Sequence, residues 1–101
     1  MPHYESMFGG GIKIKTWSGN FGATQGNTLN YLTDQTPIAV IGAKAYNKAN
    51  QRWENIPIQT TGPAGLSHIE SFENCIRLFI DSATGVTHFG GQEIVVYYIQ
   101  E

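Results

Sequence analysis

Two stretches of this chain alternate with period two and yet are apolar on both faces. In residues 38–46, Ile38 and Val40 fall on one face and Ala39, Ile41, Ala43 and Ala45 on the other. In residues 93–100, Ile94, Val96 and Tyr98 oppose Val95, Tyr97 and Ile99. Successive side chains of a strand point to opposite sides of its sheet, so a strand of this kind needs cover on both. It sits inside a sandwich or barrel, or has its second face covered by another chain. With 101 residues there is sequence for one core, and a domain of that size buries a limited fraction of its surface. The two strands therefore predict a β-rich fold together with association into a homo-oligomer. Charged residues make up 14% of the chain, against about 25% in an average domain, which agrees with exposed apolar surface of the kind that marks interfaces.

The rest of the chain supplies further short strands and turns. Ile12, Ile14 and Thr16 alternate with Lys13, Lys15 and Trp17 as in a half-buried strand, which runs into the turn cluster Ser18-Gly19-Asn20. Thr28, Leu29, Tyr31 and Leu32 suggest a short edge strand. Residues 53–59 read as extended, with Ile56 and Ile58 facing together and Pro57, which has no amide donor, favouring an edge. Leu66, Ile69 and Phe72 are spaced by three, so residues 66–72 stand between strand and helical turn, with extended structure preferred. Residues 75–80 alternate cleanly, Ile76, Leu78 and Ile80 inward and Cys75, Arg77 and Phe79 opposite. Residues 81–92 read as a loop. No amphipathic stripe three turns long can be drawn. The expected fold is all-β, a small antiparallel β-sandwich of about six strands over residues 12–101. Residues 1–11, with Gly9-Gly10-Gly11, read as a flexible N-terminal segment or linker.

Several function classes are poorly served by these residues. Six Lys and Arg against eight Asp and Glu give a net charge of −2, without the basic surface that a phosphate backbone requires, so no nucleic-acid partner is expected. The run from Ile94 to Ile99 is far short of the roughly 20 residues of a spanning helix, so no membrane insertion is expected. The first residues lack the basic start and apolar stretch of a signal peptide. A single cysteine, Cys75, cannot form an internal disulfide. The histidines are His3, His68 and His88. Ser67-His68 beside Glu70 offers the residue types of hydrolytic chemistry, but adjacent strand positions point to opposite faces. Cys75 with three scattered histidines matches no zinc spacing, and the carboxylates are too dispersed for calcium. The expectation is a protein that is not an enzyme and needs no cofactor or metal.

Binding remains. Trp17, Phe21, Tyr46, Trp53, His88 and Phe89 lie at strand ends or in loops, near Asn20, Asn47, Asn50, Arg52 and Asp81. An aromatic face beside amide, guanidinium or carboxylate groups suits a sugar ring, whose C–H face stacks while its hydroxyls take directed hydrogen bonds. The candidate ligand-binding set is therefore Tyr46, Arg52, Trp53, Asp81, His88 and Phe89. The plainer reading of Trp17 and Trp53 is as core or interface anchors, and of Arg77 as a solvated or interface cation.

The layout also resembles the small six-stranded β-sandwich of H-type lectins and of the C-terminal tips of phage tail fibres. The likeness runs from about Ile12 to Glu101. It rests on the leading strand Lys13-Ile14-Lys15-Thr16, on a proline followed by a hydrophobic strand in Thr36-Pro37-Ile38-Ala39-Val40-Ile41, on residues 75–80 with the polar loop after them, and on a final strand with Tyr97-Tyr98-Ile99. Tyr97 and Tyr98 stand where lectins of this group often have a tryptophan. Arg52 and His88 are the positions that the resemblance implies for ligand contact. It implies further a trimer, recognition of a glycan or other host-surface ligand, and a place in the virion as a tail fibre, or in the host cytoplasm before assembly. From the residues themselves, a purely structural virion or assembly protein with no ligand is the alternative.

Overall fold

The structure, a computed structural model, describes residues 13–31, 38–58, 65–72 and 75–100. The Gly9-Gly10-Gly11 segment, Ile12, and Leu32 to Pro37 lie outside the described residues. Among the described residues there are seven strands: β1 Ile14–Asn20, β2 Gly26–Tyr31, β3 Ile38–Asn47, β4 Arg52–Asn55, β5 Ser67–Phe72, β6 Cys75–Ile80 and β7 Glu93–Gln100. A short helix, α1 Ala83–Phe89, connects β6 to β7. The strands form a four-stranded sheet in the order β1-β7-β3-β4 and a three-stranded sheet in the order β2-β6-β5, and every strand pairing within them is antiparallel. The protein is a small all-β domain, as the alternation predicts. Residues 66–72, where extended structure is the preferred reading of the sequence, contain strand β5, which brings the strands among the described residues to seven.

One core lies between the sheets. The four-stranded sheet contributes Ala43, Ala45, Ile94, Val96 and Tyr98, the three-stranded sheet Ile69, Ile76, Leu78 and Ile80, and Phe21, Ile56 and Phe89 close its ends. Each large side chain buried this way stabilises the fold by about 1.5–3 kcal/mol. β6 and β7 bury the faces that their alternation assigns to the core.

β3 does not follow simple alternation. Its register against β7 shifts between Val40 and Gly42, a β-bulge that inserts one residue and reverses the phase of the strand beyond it. Ala43 and Ala45 therefore join Ile38 and Val40 on the core face, instead of opposing them, while Ile41 is left 48% exposed. β1 departs in a second way. Trp17 lies opposite Val96 and packs on the core, whereas Ile14 lies opposite Ile99 on the outer face and is 63% exposed. The buried face of this strand is the one that carries the indole. Trp17 lies across Gly19, where an added Cβ would overlap the indole ring, so glycine at that position lets the ring lie flat.

Beyond β4 the backbone crosses towards the second sheet. The Ile69 amide donates to the Pro57 carbonyl, and Ile58 makes one parallel bridge to Ile69. Ile56 is buried and Ile58 is 40% exposed, so the two do not share an environment as the sequence suggested. β4 is an edge strand, with Pro57 just past its end.

Residues 81–92 are not simply a loop, since they contain α1. Ser82 caps the helix: its hydroxyl accepts from the Gly85 amide at 3.1 Å, and the Val86 amide donates to the Ser82 carbonyl. Two turns of Ala-Thr-Gly-Val-Thr-His-Phe have little helix propensity of their own. Packing holds them, with Gly85 and Phe89 as the buried face.

Candidate functional site

The hairpin between β3 and β4 is built around Asn47, which is fully buried. Its Oδ1 accepts from the amides of Ala49 and Asn50, both at 3.0 Å, which curls residues 48–51 into the tight turn that asparagine favours. Gln51 follows in the left-handed region at φ 56°. With Oδ1 occupied by two donors, the amide orientation is fixed, and Nδ2 donates to Glu54 Oε1 at 3.1 Å and to His88 Nδ1 at 2.8 Å. His88 accepts through Nδ1, so its neutral ring carries the proton on Nε2. The backbone ties the same loop to α1, because the Lys48 amide donates to the His88 carbonyl at 2.9 Å and Lys48 Nζ to the Gly90 carbonyl at 3.1 Å.

Glu54 closes this network from β4. Its Oε2 accepts from Arg52 Nε at 2.7 Å and from Asn50 Nδ2 at 3.1 Å. The Arg52 bond first, then those of Asn47 and Asn50, hold the carboxyl at about 2, below its ordinary 4.5. A carboxyl held lower in the folded chain than in the unfolded one favours folding above its ordinary value, and loses that contribution as the pH falls towards the folded value. The loop is therefore expected to keep its hydrogen bonds through mild acid and to lose them between pH about 4.5 and about 2. Titration of the Glu54 carboxyl by NMR checks this, and Arg52→Ala is expected to move its midpoint up towards the ordinary value. An unchanged midpoint would remove Arg52 as the main cause.

On the outer face of the four-stranded sheet, Tyr46 and Trp53 are register partners with ring centroids 5.9 Å apart at 68°, an edge-to-face contact. Trp53 is 47% exposed. The Arg52 side chain is 69% exposed and lies on the opposite face of β4, where Glu54 orients its guanidinium. An open indole face held edge-on by Tyr46 on an edge strand can stack on a flat apolar surface.

The six residues singled out in the sequence thus separate. Tyr46 and Trp53 come together on the outer face of β3 and β4, whereas Arg52 lies on the other face of β4 with Glu54 and is joined to His88 indirectly through Glu54 and Asn47. Phe89 is a core residue, 3% exposed, against Phe21 at 6.0 Å. Asp81 belongs to another cluster. Its Oδ2 meets His68 Nδ1 at 2.8 Å, and His68 Nε2 meets Glu70 Oε2 at 3.1 Å, with the imidazole stacked on Phe79 at 4.5 Å and 5°. Two hydrogen bonds need two protons: neutral imidazole supplies one, and the second resides on the ring or on a carboxylate. Ser67 and His68 do point apart, as adjacent strand residues must, but Glu70 lies two residues on and shares the His68 face. That spacing was visible in the sequence; the arrival of Asp81, thirteen residues away, required the β5–β6 pairing. The ring nitrogens diverge, and among the described residues no three His, Cys, Asp or Glu side chains converge to hold a metal ion.

Comparison with known proteins returns no matching family model, curated protein or solved structure.

Proposed function

We propose that this chain is a non-enzymatic binding module that recognises carbohydrate, or another host-surface ligand, through the exposed side of β4 and acts as a homo-oligomer, with a trimer favoured. The observation that carries the reading is the aromatic pair at the β3–β4 edge: Trp53 half exposed and buttressed edge-on by Tyr46. A sugar ring stacks on such an indole and donates or accepts at its margin. Oligomerisation is supported by the outer face of the same sheet. Ile14 is 63% and Ile41 48% exposed, and Val95, Tyr97 and Ile99 of the central β7 lie half-buried between them on the face turned away from the three-stranded sheet. Linked copies also offset the weakness of single sugar sites, because later contacts become intramolecular. The tip of a phage tail fibre is a setting that uses both properties.

Light scattering on a sizing column should give a mass of three chains. Ile41→Glu, at a position exposed in the single chain, is expected to leave the fold within about 0.5 kcal/mol and to yield monomers. On a glycan array, Trp53→Ala is expected to weaken binding about tenfold, the worth of one aromatic contact. A monomer at micromolar concentration that binds no glycan above background overturns the proposal. The apolar outer face by itself would also suit a purely structural assembly protein. In that case Trp53→Ala and Arg52→Ala leave attachment unchanged while Ile41→Glu abolishes assembly.

A further inference from the structure

The aromatic pair on the outer face of β3 and β4 has polar neighbours on the same face. Residues two apart on a strand share a face, so Lys44 lies beside Tyr46 and Asn55 beside Trp53. The register sets Lys44 opposite Asn55, just as it sets Tyr46 opposite Trp53. Lys44 and Trp53 are thereby diagonal neighbours, about 7–8 Å apart, a gap that a long side chain spans. Lys44 and Asn55 are both exposed.

The charge here is not neutralised by the chain itself. On this face of the four strands the charged side chains among the described residues are Lys44 and Glu93, and neither makes an ion pair. Glu93 stands on the far side of Tyr46, because the β3–β7 register, with Ala45 opposite Ile94, brings it alongside that residue. It is two strands from Trp53, about 10 Å. A ligand stacked on the indole therefore meets an ammonium and an amide donor at one margin, with the carboxylate beyond the opposite one. A neutral hydroxyl there would use Asn55 and leave the ammonium without a partner. A cation would be repelled by Lys44. A carboxylate uses both groups, and its bond to the ammonium is charge-assisted.

We propose that the Trp53 site takes a carboxylate-bearing sugar, a hexuronic or sialic acid, whose ring stacks on the indole while its carboxylate pairs with Lys44 and accepts from the Asn55 amide. The assignment rests on the carbohydrate reading of the protein and names the class of sugar for that same site.

The test uses the full chain, labelled with ¹⁵N and titrated with matched ligands: glucuronic acid and glucose, galacturonic acid and galactose, N-acetylneuraminic acid and its methyl ester. At least one acid is expected to shift the Trp53 indole signal and the Asn55 side-chain amide, and to bind about fivefold more tightly than its neutral counterpart at low salt, the worth of one exposed ion pair. Raising the salt should shrink that preference. Lys44→Gln, at an exposed position that tolerates exchange, should bring the acid down to the neutral sugar, and Lys44→Arg should keep the preference. Acids that bind no better than their counterparts, or a preference that survives in Lys44→Gln, overturn the acidic-sugar assignment while carbohydrate binding stands. If no sugar of either kind shifts the indole, the carbohydrate reading fails and the assignment falls with it.

Discussion

Gly85→Ala is expected to lower stability by about 3 kcal/mol, the upper end of what overpacking costs, although in a free helix the same exchange would raise it by about 1 kcal/mol. The reversal of sign comes from where α1 is seated. A Cβ at residue 85 would overlap the Leu66 carbonyl oxygen and stand 3.2 Å from Ile80 Cγ2. The obstacle is backbone, so no rotamer change relieves it. Nor is the Leu66 carbonyl free to retreat, because it accepts from the Asp81 amide at 2.9 Å. The helix cannot turn away without giving up the Ser82 cap on the Gly85 amide. In a domain of this size a loss of that magnitude lowers the melting temperature by roughly 15 °C. Thermal unfolding followed by circular dichroism measures it, and Thr84→Ala, one residue earlier on the exposed side, serves as the helix-propensity control. A Gly85→Ala protein that melts at or above the parent would show that α1 does not rest on the Leu66 carbonyl.

His68→Ala is expected to cost more, about 3–5 kcal/mol, because it removes the shared partner of two carboxylates in a place poorly reached by water. The His68 ring is 2% exposed, and the side chains of Asp81 and Glu70 are 4% and 14% exposed. Two effects are combined in that figure: the hydrogen bonds to the carboxylates and the cavity beside Phe79. His68→Phe separates them, since it keeps a flat ring on Phe79 but offers neither nitrogen. Urea unfolding of both variants is expected to show most of the loss in each. If His68→Phe is as stable as the parent, the stack with Phe79 supports this corner and the carboxylates do not. Hydrogen exchange adds a spatial check. Asp81 immediately precedes the α1 cap, so amides of α1 should lose protection in His68→Ala along with those of β5.

Legibility in the sequence followed how local each cause was. β6 and β7 could be read outright because their alternation is unbroken and each strand buries the face it advertises. β3 showed its apolar character but hid its phase, since a bulge between Val40 and Gly42 is a property of pairing with β7. In β1, counting apolar residues favoured the face of Ile14. Trp17 took the core instead, because one indole buries more area than an isoleucine and Gly19 made room for it. α1 was invisible, as its sequence has no helical stripe and its stability comes from a capping serine and a glycine fitted against a distant carbonyl. The site divides in the same way. Tyr46, Arg52 and Trp53 belong to one hairpin and were within reach of a local reading. Glu54 escaped notice, though its place two residues after Arg52 on a strand puts the pair side by side. The His68–Asp81 contact depends on which strands become neighbours, and nothing in a period-two pattern reports that.

Asn47 makes the hairpin of residues 48–51 a stand separate from the side chains it displays. The bonds from Ala49 and Asn50 to Asn47 run from main-chain amides, and that from Lys48 to the His88 carbonyl likewise, so they persist whatever side chain Ala49 carries. Recognition chemistry grafted at residue 49 would inherit a preset shape, and a library varied there could be searched for new ligands without refolding the scaffold for each member.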